Sequence, residues 1–229
     1  MVLTMTIRAW AISLFFAVLS LAATSASASI LYDNGLPSGN SGLIISGNGG
    51  TNAIGAIAED FSLASSSIFN RIGFYTIEDQ DEGFWSGDLN VFVLGDAGGP
   101  NLGDILLSAG SLSGTASLAS KVATGGTVST ANGPADIYYY EIDIPEVNVT
   151  AGDTYWLALY LGNPSNLLFW AYTDPNSSAG AQAFITSSGS WVDTQTVQLA
   201  FNLQYVPVPP TALLLVAGLL GAYRFSRRK

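Results

Sequence analysis

Carboxylates are the main acid–base groups of this chain, which holds 17 aspartate and glutamate residues but no histidine and no cysteine. This composition excludes Ser-His-Asp, Cys-His and histidine-ligated zinc chemistry, and it excludes disulfides. Paired carboxylates can hydrolyse glycosidic bonds, and Asp60, Glu141 and Asp143 are candidates. None lies in a recognisable motif, and alternation in YYYEIDIP places Glu141 and Asp143 on one strand face, as a solvated surface requires. We therefore expect no catalytic activity.

The densest acidic stretch is IEDQDEGFWSGD. Asp79, Asp81 and Glu82 are candidate ligands for Ca²⁺, which prefers carboxylate and carbonyl oxygens. The spacing departs from the EF-hand pattern, because Gly83 stands where a third ligand belongs. We expect a solvated acidic loop and no cofactor, with a calcium site as the alternative.

An aromatic stretch, FWAYTDP, follows later in the chain. Alternation places Trp170 and Tyr172 on one strand face, opposite Phe169. Exposed aromatic rings can stack on sugar rings, but aromatic side chains also dominate the cores of β proteins. Core packing is the favoured interpretation, and carbohydrate binding at Trp170 and Tyr172, aided by Ca²⁺, is the alternative.

Short segments of β character fill the region between the two ends, and no long amphipathic helix interrupts them. Turn signals such as DNG, GNGG, GDAGGP, NGP and GNP separate the segments. The pattern predicts an all-β fold, a single antiparallel β-sandwich with jelly-roll-like connectivity over residues 29–204. The predicted strands are SILYD, AIAEDFSL, SIFNRIGFYTI, DLNVFVLGD, GDILLSAGSL, DIYYYEIDI, DTYWLALYLG, NLLFWAYT, AQAFITS and TVQLAFNLQY.

Charge is distributed unevenly along the chain. All acidic residues lie between residues 29 and 204, where Arg71 and Lys121 are the only basic residues. Such a strongly acidic domain repels phosphate groups, so a nucleic-acid partner is not expected.

The N-terminus has the three parts of a secretory signal peptide. Arg8 precedes the apolar run AWAISLFFAVLSLAA, and small residues follow. Ala26 and Ala28 form an A-x-A site, which predicts that signal peptidase removes residues 1–28 and leaves Ser29 first. An uncleaved membrane anchor is the alternative.

The C-terminal segment, residues 205–229, predicts a transmembrane helix. The apolar stretch Ala212–Tyr223 alone would be about 18 Å long, but a helix extended back to Tyr205 reaches about 28 Å, close to the roughly 30 Å of hydrocarbon. The basic tail stays cytoplasmic by the positive-inside rule, so the acidic domain lies outside the cytoplasm. The tail comprises Arg224, Arg227, Arg228 and Lys229.

A proline motif, an apolar helix and a basic cluster, in this order, resemble the PEP-CTERM sorting signals of Gram-negative bacteria. The match is closest to the V-P-L-P-A variant, with Val in place of Leu and Pro in place of the last Ala. The motif comprises Val206, Pro207, Val208, Pro209 and Pro210. The β-rich region, from LYDNG to FWAY, also resembles the β-sandwich of many such proteins.

The resemblance implies an exported substrate of an exosortase-like enzyme, held in the inner membrane before processing and then placed at the cell surface or in an extracellular polysaccharide matrix. A plain C-terminal anchor without processing is the alternative. Asn148-Val149-Thr150 and Asn176-Ser177-Ser178 match the asparagine glycosylation pattern. In a bacterium we expect these matches to be incidental.

Overall fold

The computed structural model describes most of the β-rich region and little of the two ends. The described residues are 27–38, 41–45, 56–78, 88–96, 102–113, 118–130, 133–162, 168–174, 182–185, 191–193 and 197–207.

Every regular element in these ranges is a β-strand. In chain order the strands are β1 (Ser29–Asp33), β2 (Gly42–Ile44), β3 (Ile57–Ser62), β4 (Ser67–Glu78), β5 (Asp88–Asp96), β6 (Leu102–Ser113), β7 (Leu118–Thr130), β8 (Gly133–Val149), β9 (Thr154–Gly162), β10 (Leu168–Asp174), β11 (Gln182–Ile185), β12 (Trp191–Asp193), β13 (Gln198–Leu199) and β14 (Phe201–Tyr205).

The strands form two antiparallel sheets. The six-stranded sheet has the order β12-β11-β3-β9-β5-β6. In the eight-stranded sheet, β4 pairs along one side with β8, which in turn pairs with β7. Along its other side β4 pairs with β14 and then with β10, and β14 continues to β1. The all-β prediction is confirmed, and the arrangement is consistent with a β-sandwich.

One apolar core lies between the two sheets, and side chains from both contribute to it. Phe61 of the six-stranded sheet contacts Phe69 and Phe201 of the eight-stranded sheet, with ring centroids 6.1 and 6.3 Å apart. These contacts join the sheets face to face, because each strand directs alternate side chains inward.

Strand β9 is buried on both faces, which fits its almost entirely apolar sequence, TYWLALYLG. Leu157 and Leu159 belong to the main core, whereas Trp156 and Ala158 pack in a second apolar cluster with Ala58. The strand lies between β3 and β5, so its backbone is paired on both sides. An uninterrupted apolar strand is what a position of this kind requires.

The segment TVQLAFNLQY is predicted as one strand, but the structure divides it at Ala200. The carbonyl of Ala200 accepts hydrogen bonds from the Trp170 indole N–H at 2.9 Å and from the backbone N–H of Tyr75 at 3.2 Å. At this point the chain leaves β10 as its neighbour and pairs with β4. The single strand is therefore corrected to β13 and β14, because the segment changes partners within the sheet.

The first and last described strands lie side by side. Ser29 pairs with Tyr205, and Asp33 pairs with Asn202. Ser29–Tyr205 forms one compact unit of the chain. The two ends of this unit therefore leave the sheet next to each other.

Candidate functional site

The two basic residues of the acidic domain lie on opposite faces of the eight-stranded sheet. Arg71 of β4 alternates with the core residue Ile72 and so lies on the outer face. Lys121 of β7 lies 4.0 Å from the centre of the Tyr138 ring, which belongs to the core, and so lies on the inner face. Each cation contacts carboxylates, and each marks a separate polar cluster.

The outer cluster is centred on the hydroxyl of Tyr139. This hydroxyl donates to Glu141 Oε1 at 3.2 Å and accepts from Asn202 Nδ2 at 3.1 Å and from Gln204 Nε2 at 3.0 Å. Gln204 Nε2 also lies 3.1 Å from Glu141 Oε1. We call this cluster the outer network; it comprises Arg71, Ser120, Tyr139, Glu141, Asp143, Asn202 and Gln204.

Arg71 joins two carboxylates at one end of the outer network. Its Nε donates to Asp143 Oδ1 at 2.7 Å, and its Nη1 lies 3.6 Å from Glu141 Oε2. The hydrogen bond to Asp143 is the largest cause that raises the pKa of Arg71. Burial and the neighbouring Glu141 charge raise the pKa of Tyr139 to about 12. At neutral pH, therefore, Arg71 stays positively charged and Tyr139 stays a neutral phenol.

Gly73 makes room for the phenol. It pairs with Glu141 on β8 and with Asn202 on β14, in the centre of the network. A Cβ atom at this position would collide with the Tyr139 hydroxyl and lie 2.6 Å from Asn202 Oδ1. The missing side chain is therefore what lets the Tyr139 ring lie across β4.

The inner cluster is a buried ion pair between Glu78 and Lys121. Lys121 Nζ donates to Glu78 Oε2 at 2.9 Å, and the side chains are 20% and 6% exposed. Hydroxyl groups of Thr76 and Tyr140 donate to the other carboxylate oxygen. Burial, followed by the Glu78 charge, raises the pKa of Tyr140. The carboxylate is satisfied by one cation and two hydroxyl donors, which is the condition for burying a charge.

A third polar group lies near the first strand. Glu59 faces the core between Ile57 and Phe61, and it is 0% exposed. Asn34 Nδ2 lies 3.4 Å from its Oε1 atom, and the Tyr32 hydroxyl donates to Asn34 Oδ1 at 3.1 Å. Burial, with the charges of Asp60 and Glu59, raises the pKa of Tyr32 to about 12.

The three carboxylates considered for glycoside hydrolysis do not come together. Glu141 and Asp143 share the outer face of β8, as alternation predicts, whereas Asp60 belongs to β3 in the other sheet. Glu141 also accepts hydrogen bonds from Ser120, Tyr139 and Gln204. Glu141 therefore serves as a hydrogen-bond acceptor within the outer network.

The rings considered for sugar stacking lie in the core. Trp170 is 0% exposed and Tyr172 is 6% exposed. The Trp170 indole N–H is bound by a backbone carbonyl, and its ring contacts Phe201 edge-on at 5.9 Å. The alternative interpretation, in which a sugar stacks on Trp170 or Tyr172, is therefore wrong. The favoured interpretation, core packing, accounts for both rings.

Other predicted site residues lie largely outside the described residues. These are the candidate calcium ligands Asp79, Asp81 and Glu82, the cleavage-site residue Ala26, the motif residues Val208, Pro209 and Pro210, and the basic tail. Ala28 is described and exposed, and Val206 and Pro207 are described without regular structure. In the described part of the chain, no group of three or more acidic side chains is placed to hold a metal ion. No apolar helix of membrane-spanning length occurs in that part.

Sequence reasoning missed the outer network. Alternation places Asn202 and Gln204 opposite the apolar residues of their strand, and this is correct, but it suggests solvent exposure. The two residues are only 6% and 4% exposed. Their partner Tyr139 lies on β8, 63 residues away in sequence from Asn202. No local signal identifies such a partner, because β4 lies between β14 and β8 and the pairing of these strands is set by the tertiary structure.

Comparisons with known proteins assign no family to this arrangement. No protein-family model matches the chain, and no curated protein matches it significantly. The resemblance to PEP-CTERM proteins therefore stays a prediction from the sequence.

Proposed function

We propose that this protein is an exported β-sandwich protein of the bacterial cell envelope or extracellular matrix, sorted by an exosortase-like enzyme and without catalytic activity of its own. The observation that carries the proposal is the order of the segments. A cleavable apolar leader precedes an acidic domain, and the proline motif, the apolar stretch and the basic tail follow it.

The limits of the folded unit support this order. Strand β1 begins at Ser29, immediately after the proposed signal peptidase site, and β14 ends at Tyr205, immediately before the proline motif. Cleavage after Ala28, or within the motif, would remove no residue of a described strand. The Ser29–Tyr205 pairing would remain in the mature protein and would hold both new ends next to each other.

The charges support an extracytoplasmic protein that does not bind nucleic acid. Arg71 and Lys121 are the only cations between residues 29 and 205, and both are engaged by carboxylates of the same domain. Neither is therefore available to neutralise a phosphate backbone, which requires lysine or arginine contacts.

The sorting proposal is tested by the mature termini. We expect mass spectrometry to find Ser29 first, in strains with and without the exosortase gene. The C-terminus should be shortened only in the strain with the enzyme. Replacing Pro207 and Pro209 by alanine should leave Lys229 in place, whereas Pro145→Ala, in the folded domain, should be processed normally. An intact Lys229 in both strains contradicts processing.

A second proposal is a carbohydrate-binding module. Because Trp170 and Tyr172 are buried, the aromatic residue that favours it is Tyr75, which is partly exposed on the outer face and packs against Tyr139 at 4.8 Å. An aromatic ring beside carboxylates and amides offers both stacking and hydrogen bonds to a sugar. A glycan array, with and without calcium, tests it. Tyr75→Ala should abolish binding, and Ile68→Ala, at an exposed side chain seven residues away along β4, should not. An array without any bound glycan contradicts the proposal.

A further inference from the structure

The last five residues of the β8 region, Glu146–Thr150, present three polar side chains on one exposed face. Glu146, Asn148 and Thr150 are exposed, whereas Val147 and Val149 point into the core and are 3% and 4% exposed. This follows from the two-residue period of a strand. The acceptor asparagine and the hydroxyl two positions later, which define the glycosylation pattern, thus lie side by side on the surface.

The backbone of this segment pairs along one edge with β4. On one side β8 pairs with β4, where Asn148 lies opposite Ile68 and Val149 lies opposite Ser67. On the other side, the ladder with β7 ends at the pair Leu118 and Ile142. Among the described strands none pairs with that second edge beyond Ile142. An enzyme that binds an extended acceptor peptide can therefore approach this edge without separating two described strands.

A turn terminates the acceptor segment. Gly152 has a φ of +79°, and its N–H donates to the carbonyl of Leu63 at 2.9 Å. The N–H of Ala151 donates to Ser66 Oγ at 3.0 Å, and the N–H of Thr150 donates to the Tyr155 hydroxyl at 2.9 Å. These bonds hold the end of β8 in place, so the acceptor side chain is presented from a fixed backbone.

An open surface depression of about 310 Å³ adjoins the acceptor. Its lining is neutral and comprises Ser66, Ser67, Ile68, Asn148, Val149 and Thr150. Ile68 is one of the few large apolar side chains with high exposure, at 40%, and it is the cross-strand partner of Asn148. A sugar attached to Asn148 would cover Ile68 with its apolar face and place its hydroxyl groups near the serines.

We propose that Asn148 is a site of N-linked glycosylation. The donor is an oligosaccharide linked through a diphosphate to a polyprenyl lipid. The Asn148 Nδ2 forms a bond to C1 of the first sugar, and the bond between C1 and the phosphate oxygen breaks. The amide proton passes to a base of the transferase, and the lipid diphosphate leaves with the electron pair. Glu146 provides a carboxylate two positions before the acceptor, as a charged contact for the transferase.

The inference rests on the proposed export, because the modification takes place where the lipid-linked donor is exposed to exported chains. It also revises the expectation that both matching sequences are incidental. Asn176 lies outside the described residues and directly follows Pro175, which restricts the backbone before the acceptor. Asn148 is therefore the acceptor assigned, and Asn176 serves as an internal comparison.

The test is co-expression of the full chain with a bacterial oligosaccharyltransferase and a lipid-linked glycan of known mass. Mass spectrometry of the intact protein and its peptides should show one added glycan on Asn148. Asn148→Gln and Thr150→Ala should abolish the addition, whereas Thr150→Ser and Asn176→Gln should retain it. Glu146→Gln should lower the modified fraction severalfold. All of these side chains except Asn176 lie on the described surface, so folding, checked by circular dichroism, should be unchanged.

The N-terminus separates failure of this inference from failure of export. An unmodified Asn148 in a chain that begins at Ser29 overturns the inference and leaves export standing. A chain that retains residues 1–28 contradicts cleavage by signal peptidase. In that case the purified chain is incubated with transferase-containing membranes and the lipid-linked glycan. Modification of Asn148 there supports the inference, and an unmodified Asn148 overturns it.

Discussion

Replacing Lys121 by methionine removes the cation that contacts Glu78 and keeps most of the apolar stem. At a separation of 2.9 Å and an effective dielectric constant of about 20, the attraction between the two charges is about 6 kcal/mol. Desolvation offsets much of this, and breaking a buried pair costs about 3–5 kcal/mol. Lys121 is 20% exposed, and Glu78 keeps the Thr76 and Tyr140 hydroxyls. We therefore expect a loss of about 3 kcal/mol, at the lower end of that range.

Removing the other charge of the pair, with Glu78→Gln, should cost less stability, about 1.5 kcal/mol. Lys121 then keeps its contact with the Tyr138 ring and partial access to water. The double variant replaces both charges, so its loss should also be near 1.5 kcal/mol and the coupling energy about 3 kcal/mol. Urea unfolding of the purified protein and its three variants measures the three losses of stability and, from them, the coupling energy.

A matched control is Arg71→Met, which removes the other cation from the outer face of the same sheet. Its partner Asp143 is 57% exposed, so the loss should stay near 1 kcal/mol or below. If Lys121→Met costs no more than Arg71→Met, or if the effects at Glu78 and Lys121 add without coupling, the reasoning that burial strengthens this pair is refuted.

Three further variants or titrations follow from the polar contacts. Gly73→Ala should cost about 2 kcal/mol in urea unfolding, because its Cβ would collide with the Tyr139 hydroxyl. Adding Tyr139→Phe should recover part of that loss, because it removes the hydroxyl. If no stability is recovered, the collision with the Tyr139 hydroxyl is not the cause of the loss. Trp170→Phe should cost about 2 kcal/mol, because the smaller ring leaves a cavity in the core and the Ala200 carbonyl keeps only the bond from the Tyr75 N–H; a loss below about 0.5 kcal/mol would contradict this. Tyr32 and Tyr139, with pKa values raised from 10.0 to about 12, keep their protons while the unfolded chain loses them. Their contribution to stability is therefore complete below pH 10 and is lost as the pH rises towards 12. Near-ultraviolet absorbance should show late tyrosinate formation in the folded protein, and simultaneous ionisation of all its tyrosines near pH 10 would argue against burial.

Strands with strong alternation are predicted well. SILYD and DLNVFVLGD coincide with β1 and β5, and SIFNRIGFYTI differs from β4 by one residue. Their apolar and β-branched residues fit a pleated, half-buried surface wherever the strand lies. Sequence alone is therefore sufficient where side-chain pattern and strand burial agree.

Strand β7 was not predicted, because its sequence, LASKVATGGTVST, is small and polar with two central glycines. Its pairing with β8 shifts register between Ala123 and Thr127, around those glycines. The strand exists because β8 offers a long edge and supplies Tyr138 and Tyr140, on which Lys121 lies. Tertiary pairing outweighs a weak local preference here.

The sequence by itself was sufficient to predict the all-β character of residues 29–204, the classes of catalysis excluded by the absence of histidine and cysteine, and the proposed sorting signals at both ends. These depend on composition and local order alone. Only the tertiary structure decided that Trp170 and Tyr172 are buried, that Tyr139 binds Asn202 and Gln204, and that Asn148 is exposed opposite Ile68. Each of these depends on residues from distant strands, and alternation specifies the face of a strand but not what packs against it.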